Sequence, residues 1–278
     1  MKKLISELTR LYFQPGQQKL SLQAAGAASL AVLDEQDVVR CLAGQSGLCL
    51  SPVSIENSLR LLFVEFKRTT DWEILARLFQ GVQEDLDLPA PAISVSGEQG
   101  FGLWFSLQES VSCEVARTFL GALQRKYLMD IPADSVSILP ATVALVPSFQ
   151  AENEMWSAFI DPTMGSMFID EPWLDMAPNM DKQAEMLAGL ASIKPGDFRR
   201  ALNRLLAAEG VESSASVPES AATAKELTSE SPSLGPVGHF DDPRLFLLAV
   251  MNDPRVSLSQ RMEAARALLP YGNSDSVN

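Results

Sequence analysis

Few side chains in this chain of 278 residues have the types and spacing that chemistry needs. Glu65 lies near the end of an apolar and aromatic run, residues 60–66, and Lys67-Arg68 follow it directly. A carboxylate at a strand end can hold a cation or sit in solvent, and the two bases can meet a phosphate or mark where the strand surfaces. Two further basic groups, Arg125-Lys126 and Arg199-Arg200 with Arg204, fall at helical spacing, for which a solvated face is the ordinary reading. Cys41, Cys49 and Cys113 are odd in number and lack metal-ligand spacing, and His239 is the single histidine. Reduced, buried thiols are expected, without a zinc site.

The charge balance narrows the partners. A net charge of -13 and a pI near 4.6 oppose nonspecific adhesion to nucleic acid or to anionic membranes, although a local basic groove remains compatible with them. Glu7 and Arg10 interrupt what would be the apolar part of a signal peptide, so a cytoplasmic location is expected. The apolar run at residues 245–251 is too short to cross a bilayer, and no membrane association is expected.

The elements that must position these groups are mixed. Leu4, Leu8 and Leu11-Tyr12 have helical spacing, and residues 34–42 read as a short helix opened by acids. The run at 60–66 suits a buried strand, after which Thr70 or Asp71 can cap a helix carrying Ile74, Leu75, Leu78, Phe79 and Val82 on one face. Beyond Pro89 and Pro91, residues 93–95 and 101–107 form a hairpin around 97–100, where two glycines supply positive φ angles. Trp104 and Phe105 then face opposite ways, one into a core and the other toward a helix or a partner. Ser112 caps a helix over Cys113–Tyr127 striped by Val115, Phe119, Ala122 and Leu123. Strands are read at 136–139 and 142–146 and, from weaker patterns, at 159–161 and 168–170, and helices at 179–190 and 197–208.

Three regions follow. Residues 1–208 form the main domain, and 209–242 read as a flexible, disordered linker in which seven acids face only Lys225. Residues 243–272 read as a helical hairpin, which is either an interaction hook or a pack-back onto the chain's own core.

The stretch Ser96-Gly97-Glu98-Gln99-Gly100-Phe101-Gly102-Leu103-Trp104-Phe105, with the helix after it, resembles the archaeo-eukaryotic primase-polymerase superfamily. It is most similar there to primase-like domains of bacterial mobile elements and conflict systems. The resemblance runs over about the first 200 residues and takes in 8–13, 38–44, 139–147 and 157–161. It implies an α+β fold, an RRM-like mixed or antiparallel sheet with flanking helices.

The family's nucleotidyl transfer implies metal ions held by acids on one strand, a histidine on its neighbour and a further acid. At the matching positions this chain keeps Glu65, has Lys67 where the second acid belongs, has Gly102 where the histidine belongs, and offers Glu98 and Asp134 as weaker carboxylates. A lysine beside a divalent-ion site repels the ion.

The expectation is therefore a catalytically degenerate primase-like accessory or scaffold in DNA replication, transfer or defence, with no cofactor. Lys67, Arg68, Arg125 and Lys126 are its candidate nucleic-acid contacts. Two alternatives stand beside it. One is a divergent nucleotidyltransferase using magnesium or manganese at Glu65, Glu98 and Asp134; the other is an acidic protein adaptor without nucleic acid. Residues 245–254 and 261–271 resemble a short helical segment of phage packaging-associated proteins, which implies a protein partner through the C-terminal hairpin.

Overall fold

Nine residues, Ser58–Phe66, six of them apolar, become the strand on which the two hydrophobic cores meet. The computed structural model describes residues 1–22, 28–98 and 100–208. The expected linker at 209–242, the expected hairpin at 243–272, His239 and Gln99 lie outside the described residues.

In chain order the elements are α1 (Lys2–Leu11), β1 (Gln18–Leu22), β2 (Ala28–Val32), α2 (Glu35–Leu42), β3 (Cys49–Ser51), β4 (Ser58–Phe66) and α3 (Trp72–Glu84). Then come β5 (Ala92–Val95), β6 (Phe101–Ser112), α4 (Cys113–Tyr127), β7 (Val136–Ile138), β8 (Val143–Ala144), β9 (Phe149–Gln150), β10 (Met155–Trp156), β11 (Ala158–Ile160), α5 (Met180–Ala188) and α6 (Pro195–Ala208). The architecture is α+β. An antiparallel five-stranded sheet is ordered β11-β5-β6-β4-β7, and a smaller antiparallel sheet is ordered β2-β1-β3-β8.

Period-two alternation divides the side chains of the large sheet between two cores. Leu62, Val64, Phe66, Leu103 and Phe105 join the core built with α3, α4 and α6; Leu61, Phe63 and Trp104 join the core built with α1, α2 and α5. Trp104 and Phe105 are thus both buried, because the sheet is covered on both faces, and neither is left for a partner.

Several local expectations are corrected. Asp71 makes no capping hydrogen bond to α3 and instead holds Arg68. Val115 is exposed; the buried face of α4 runs through Ala116, Phe119, Leu120 and Leu123. Residues 168–170 are not a strand, since Phe168 closes a 3-10 turn, Pro162–Phe168. Of the two turn glycines only Gly97 has a positive φ, 83°. Gly100 is required for another reason, because a Cβ there would lie 2.0 Å from the Phe66 carbonyl oxygen.

Two arginines tie the layers together. The register of β4 on β6 shifts between Leu59 and Leu61, and the intervening Arg60 reaches out of the ladder. Its guanidinium donates to the carbonyls of Leu107 (3.1 Å), Phe13 (2.8 Å) and Arg10. Arg10 in turn donates to the Leu187 and Leu190 carbonyls at the end of α5, at 3.0 and 3.1 Å. Arg60→Ala strands three carbonyls at a joint between layers and is expected to lower unfolding stability by about 2–3 kcal/mol in urea titrations.

Asp37, in the first turn of α2, is buried and takes Lys19 from β1, Arg40 at 2.6 Å and the Asp34 amide at 3.1 Å. Burial opposes its ionisation, but these donors outweigh burial and hold the carboxyl below its ordinary value. A depressed folded pKa gives stability that is present above the unfolded value, about 3.9, and lost as pH falls through the folded one. Asp37→Asn should therefore cost about 2 kcal/mol at pH 7, and the gap to the unaltered protein should narrow in thermal melts as pH falls below the unfolded value, about 3.9.

Candidate functional site

The residues singled out on β4 and β6 come together at one end of the large sheet. Glu65 is the direct cross-strand neighbour of Gly102 on β6 and of Ser137 on β7. Lys67 continues beyond β4, its amide donating to the Ser135 carbonyl at 2.8 Å. Asp134 is exposed one residue before that carbonyl.

Alternation puts Phe63, Glu65 and Lys67 on one side of β4 and β6's Gly102 and Trp104 on the same side. What fills that side was not anticipated from the sequence. A Cβ on Gly102 would lie 2.7 Å from both the Phe63 ring and the Ser94 hydroxyl, so the buried phenyl ring occupies the space a histidine side chain would need. Phe63 packs edge-on against Trp104 with ring centres 4.8 Å apart, and Trp104 meets Phe159 at 5.5 Å and Tyr12 at 5.4 Å. Trp104 is oriented by its indole N–H, which donates to Ser94 Oγ at 2.8 Å.

This donor set does not suit a pair of divalent cations. Along the strand stand a phenyl ring, one half-buried carboxylate and an ammonium, where hard ions require several convergent oxygens.

Past the end of β4 the surface opens into a cleft of about 270 Å³ lined by Lys67, Arg68, Thr69, Thr70, Glu98, Asp170, Pro172 and Trp173. Lys67 is exposed and has no ion-pair partner among the described residues. Arg68 is held by Asp71 through two 3.2 Å contacts. Glu98 and Asp170 bring negative charge to the same cleft. Thr69, Asp170 and Trp173 were not picked out from the sequence, and Thr70 was read there only as a helix cap. The last two arrive from a loop far along the chain, positioned by the Gly97 amide bonding to the Pro172 carbonyl at 3.1 Å.

The remaining candidates lie on another layer. Lys126, at the end of α4, pairs with Asp85 at 2.8 Å and sits over the Tyr127 ring, and Arg204 donates to the Asp85 carbonyl. Neither Arg125 nor Lys126 lines the cleft. Among the cysteines, Cys41 and Cys113 are buried and Cys49 is half-buried. Burial, with Cys49 adding to it, pushes the Cys41 thiol up to about 12, so it stays protonated near neutrality and is a poor nucleophile.

Gly102→Ala should cost about 1–3 kcal/mol by overpacking against the phenyl ring. Combining it with Phe63→Leu should recover part of that loss, seen as non-additivity in a double-mutant denaturation cycle.

Residues 9–141 match the family model described as the archaeo-eukaryotic primase domain of the TOTE conflict system. The resemblance drawn from the sequence holds over this segment, which is narrower than the roughly 200 residues first assigned to it. No curated protein matches the chain. Among solved structures, the AEP domain of the cyanophage S-2L primase-polymerase aligns at 10% identity over 67% of this chain and 97% of that one, with a TM-score of 0.40. The polymerase domain of Mycobacterium tuberculosis ligase D, solved in complex with DNA, aligns at 14% identity over 62% and 70%, with a TM-score of 0.39.

Proposed function

We propose, with the primase-domain match over residues 9–141 as the premise, that this protein is a catalytically degenerate primase-like accessory of a conflict system, which holds a nucleic-acid strand or end without extending it. The observation that carries this reading is the Phe63 ring in the space beside Gly102. Where transfer chemistry needs an imidazole and converging carboxylates, the chain has a dry aromatic cluster, and restoring the polar groups would place charge inside a core. The reading needs no metal.

The surface that remains for nucleic acid is the cleft past β4. Lys67 is the cation available to a phosphate, Thr69 and Thr70 add hydroxyls, and the half-buried Trp173 gives a ring on which a base can stack. Glu98, Asp170 and a net charge of -13 oppose long-range attraction, so binding should be modest and confined to few phosphates. For one or two neutralised phosphates on a single strand, the logarithm of affinity should fall with the logarithm of salt at a slope of about -0.7 to -1.4.

A labelled single-stranded oligonucleotide followed by fluorescence anisotropy should show this shallow salt dependence. Lys67→Glu should weaken binding about tenfold or more with unchanged thermal stability. Absence of binding to single strands and to duplex ends would instead support the acidic adaptor. Glu98 lining the cleft is the observation that keeps the nucleotidyltransferase alternative in play. Primer extension with manganese and nucleotides, abolished by Glu65→Ala, would establish that alternative and overturn the degenerate reading.

A further inference from the structure

Three charged groups share the cleft past β4 without neutralising one another. Lys67, Glu98 and Asp170 all line its volume of about 270 Å³, and among the described residues none of the three side chains has a hydrogen-bond or ion-pair partner. Arg68, by contrast, is taken up by Asp71. The backbone that carries the two acids is fixed. The Gly97 amide donates to the Pro172 carbonyl at 3.1 Å and Asn153 Nδ2 donates to the Gly97 carbonyl at 2.7 Å, so the turn bearing Glu98 is held to the loop bearing Asp170 and Trp173. The Ser96 hydroxyl accepts from the amides of Glu98 and Gly100 at 3.1 and 3.0 Å, and Leu174, next to Trp173, exchanges backbone hydrogen bonds with Trp156 at 2.8 and 3.0 Å.

An ionised carboxylate only accepts hydrogen bonds, and it repels phosphate. On a nucleic-acid strand its partners are therefore the N–H groups of the bases. Guanine presents N1–H and N2–H side by side, which match both oxygens of one carboxylate, and its other N2 proton is left for a second acceptor. Cytosine and adenine offer an amino group beside an acceptor nitrogen, and thymine offers one N–H between two carbonyls. The cleft supplies a cation for a phosphate, a ring for a planar face and two acceptors for a donor edge, and a guanine nucleotide carries the counterpart of each.

We propose, on the reading that this cleft is the nucleic-acid surface, that it selects guanine: Glu98 and Asp170 accept from the N–H edge of the base while Trp173 stacks on its face and Lys67 takes a phosphate. The acids then have a role opposite to that of metal ligands. They weaken attraction to every strand and restore it for one base, so discrimination comes from the repulsion a wrong base leaves in place as well as from the bonds the right one makes.

The test follows fluorescence anisotropy of the full chain with labelled thymidine oligonucleotides in which one nucleotide is dG, deoxyinosine, dC, dA or dT. The dG strand should bind about tenfold or more tighter than the all-dT strand, and deoxyinosine, which lacks the 2-amino group, should lose most of that gain. Glu98→Gln combined with Asp170→Asn should erase the preference at unchanged melting temperature, while binding of the all-dT strand holds or strengthens because two negative charges leave the cleft. Equal binding of dG and dT, deoxyinosine as tight as dG, a preference that survives in the double variant, or a uniform weakening of all strands by it would each overturn guanine selection and leave the strand-holding reading standing. No binding by any strand would overturn both.

Discussion

The fit of the Phe63 ring against Gly102 sets the terms for the rest of the molecule. It lies on the pairing of β4 with β6, the axis of the large sheet, and it decides that the sheet face toward α1, α2 and α5 is a core. The part of that face that packs Phe63, Trp104, Phe159 and Tyr12 is buried, and an unpaired charge placed there would cost several kcal/mol. Cohesion is the use to which the buried part of this surface is put. The polar groups of this region stand past the strand end, at Lys67 and in the cleft around it.

Much of this was legible in the sequence. Strands β4, β5 and β6 and helix α4 follow from alternation, a glycine turn and a serine cap, and adjacent strands bring Glu65, Gly102, Lys67 and Glu98 to one end of the sheet. The apolar run Leu61-Leu62-Phe63-Val64 within β4 was itself a sign of burial on both faces, which would have placed Trp104 and Phe105 both inside. The first hairpin, β1 with β2, was missed because Lys19, serines and small residues blur its alternation. The full length of β6 was missed because Gln108, Glu109 and Ser110 are exposed.

The filling of the site was harder to read. Phe63 is two residues before Glu65 and therefore on its side of the strand, yet a phenylalanine at a strand position reads as ordinary core, and only the missing Cβ of Gly102 reveals why the two fit. Asp170 and Trp173 have no spacing relation to Lys67. They are delivered by backbone hydrogen bonds at Gly97 and Trp156, which no local pattern encodes.

The way β11, α5 and α6 are tied in separates the segment that matches the primase family from the unit that must fold. The recognisable segment, 9–141, begins inside α1 and stops before all three. Yet β11 closes the β5 edge, the Gln183 side chain clasps the Phe159 backbone at 2.8 and 2.9 Å, and Phe198 of α6 packs at a tilt against Phe119 with ring centres 4.7 Å apart. Cut out along the bounds of that match, the segment would carry an open sheet edge and two uncovered apolar faces. Sequence similarity and cooperative stability thus draw different borders on this chain, and any fragment meant to stand alone has to respect the second.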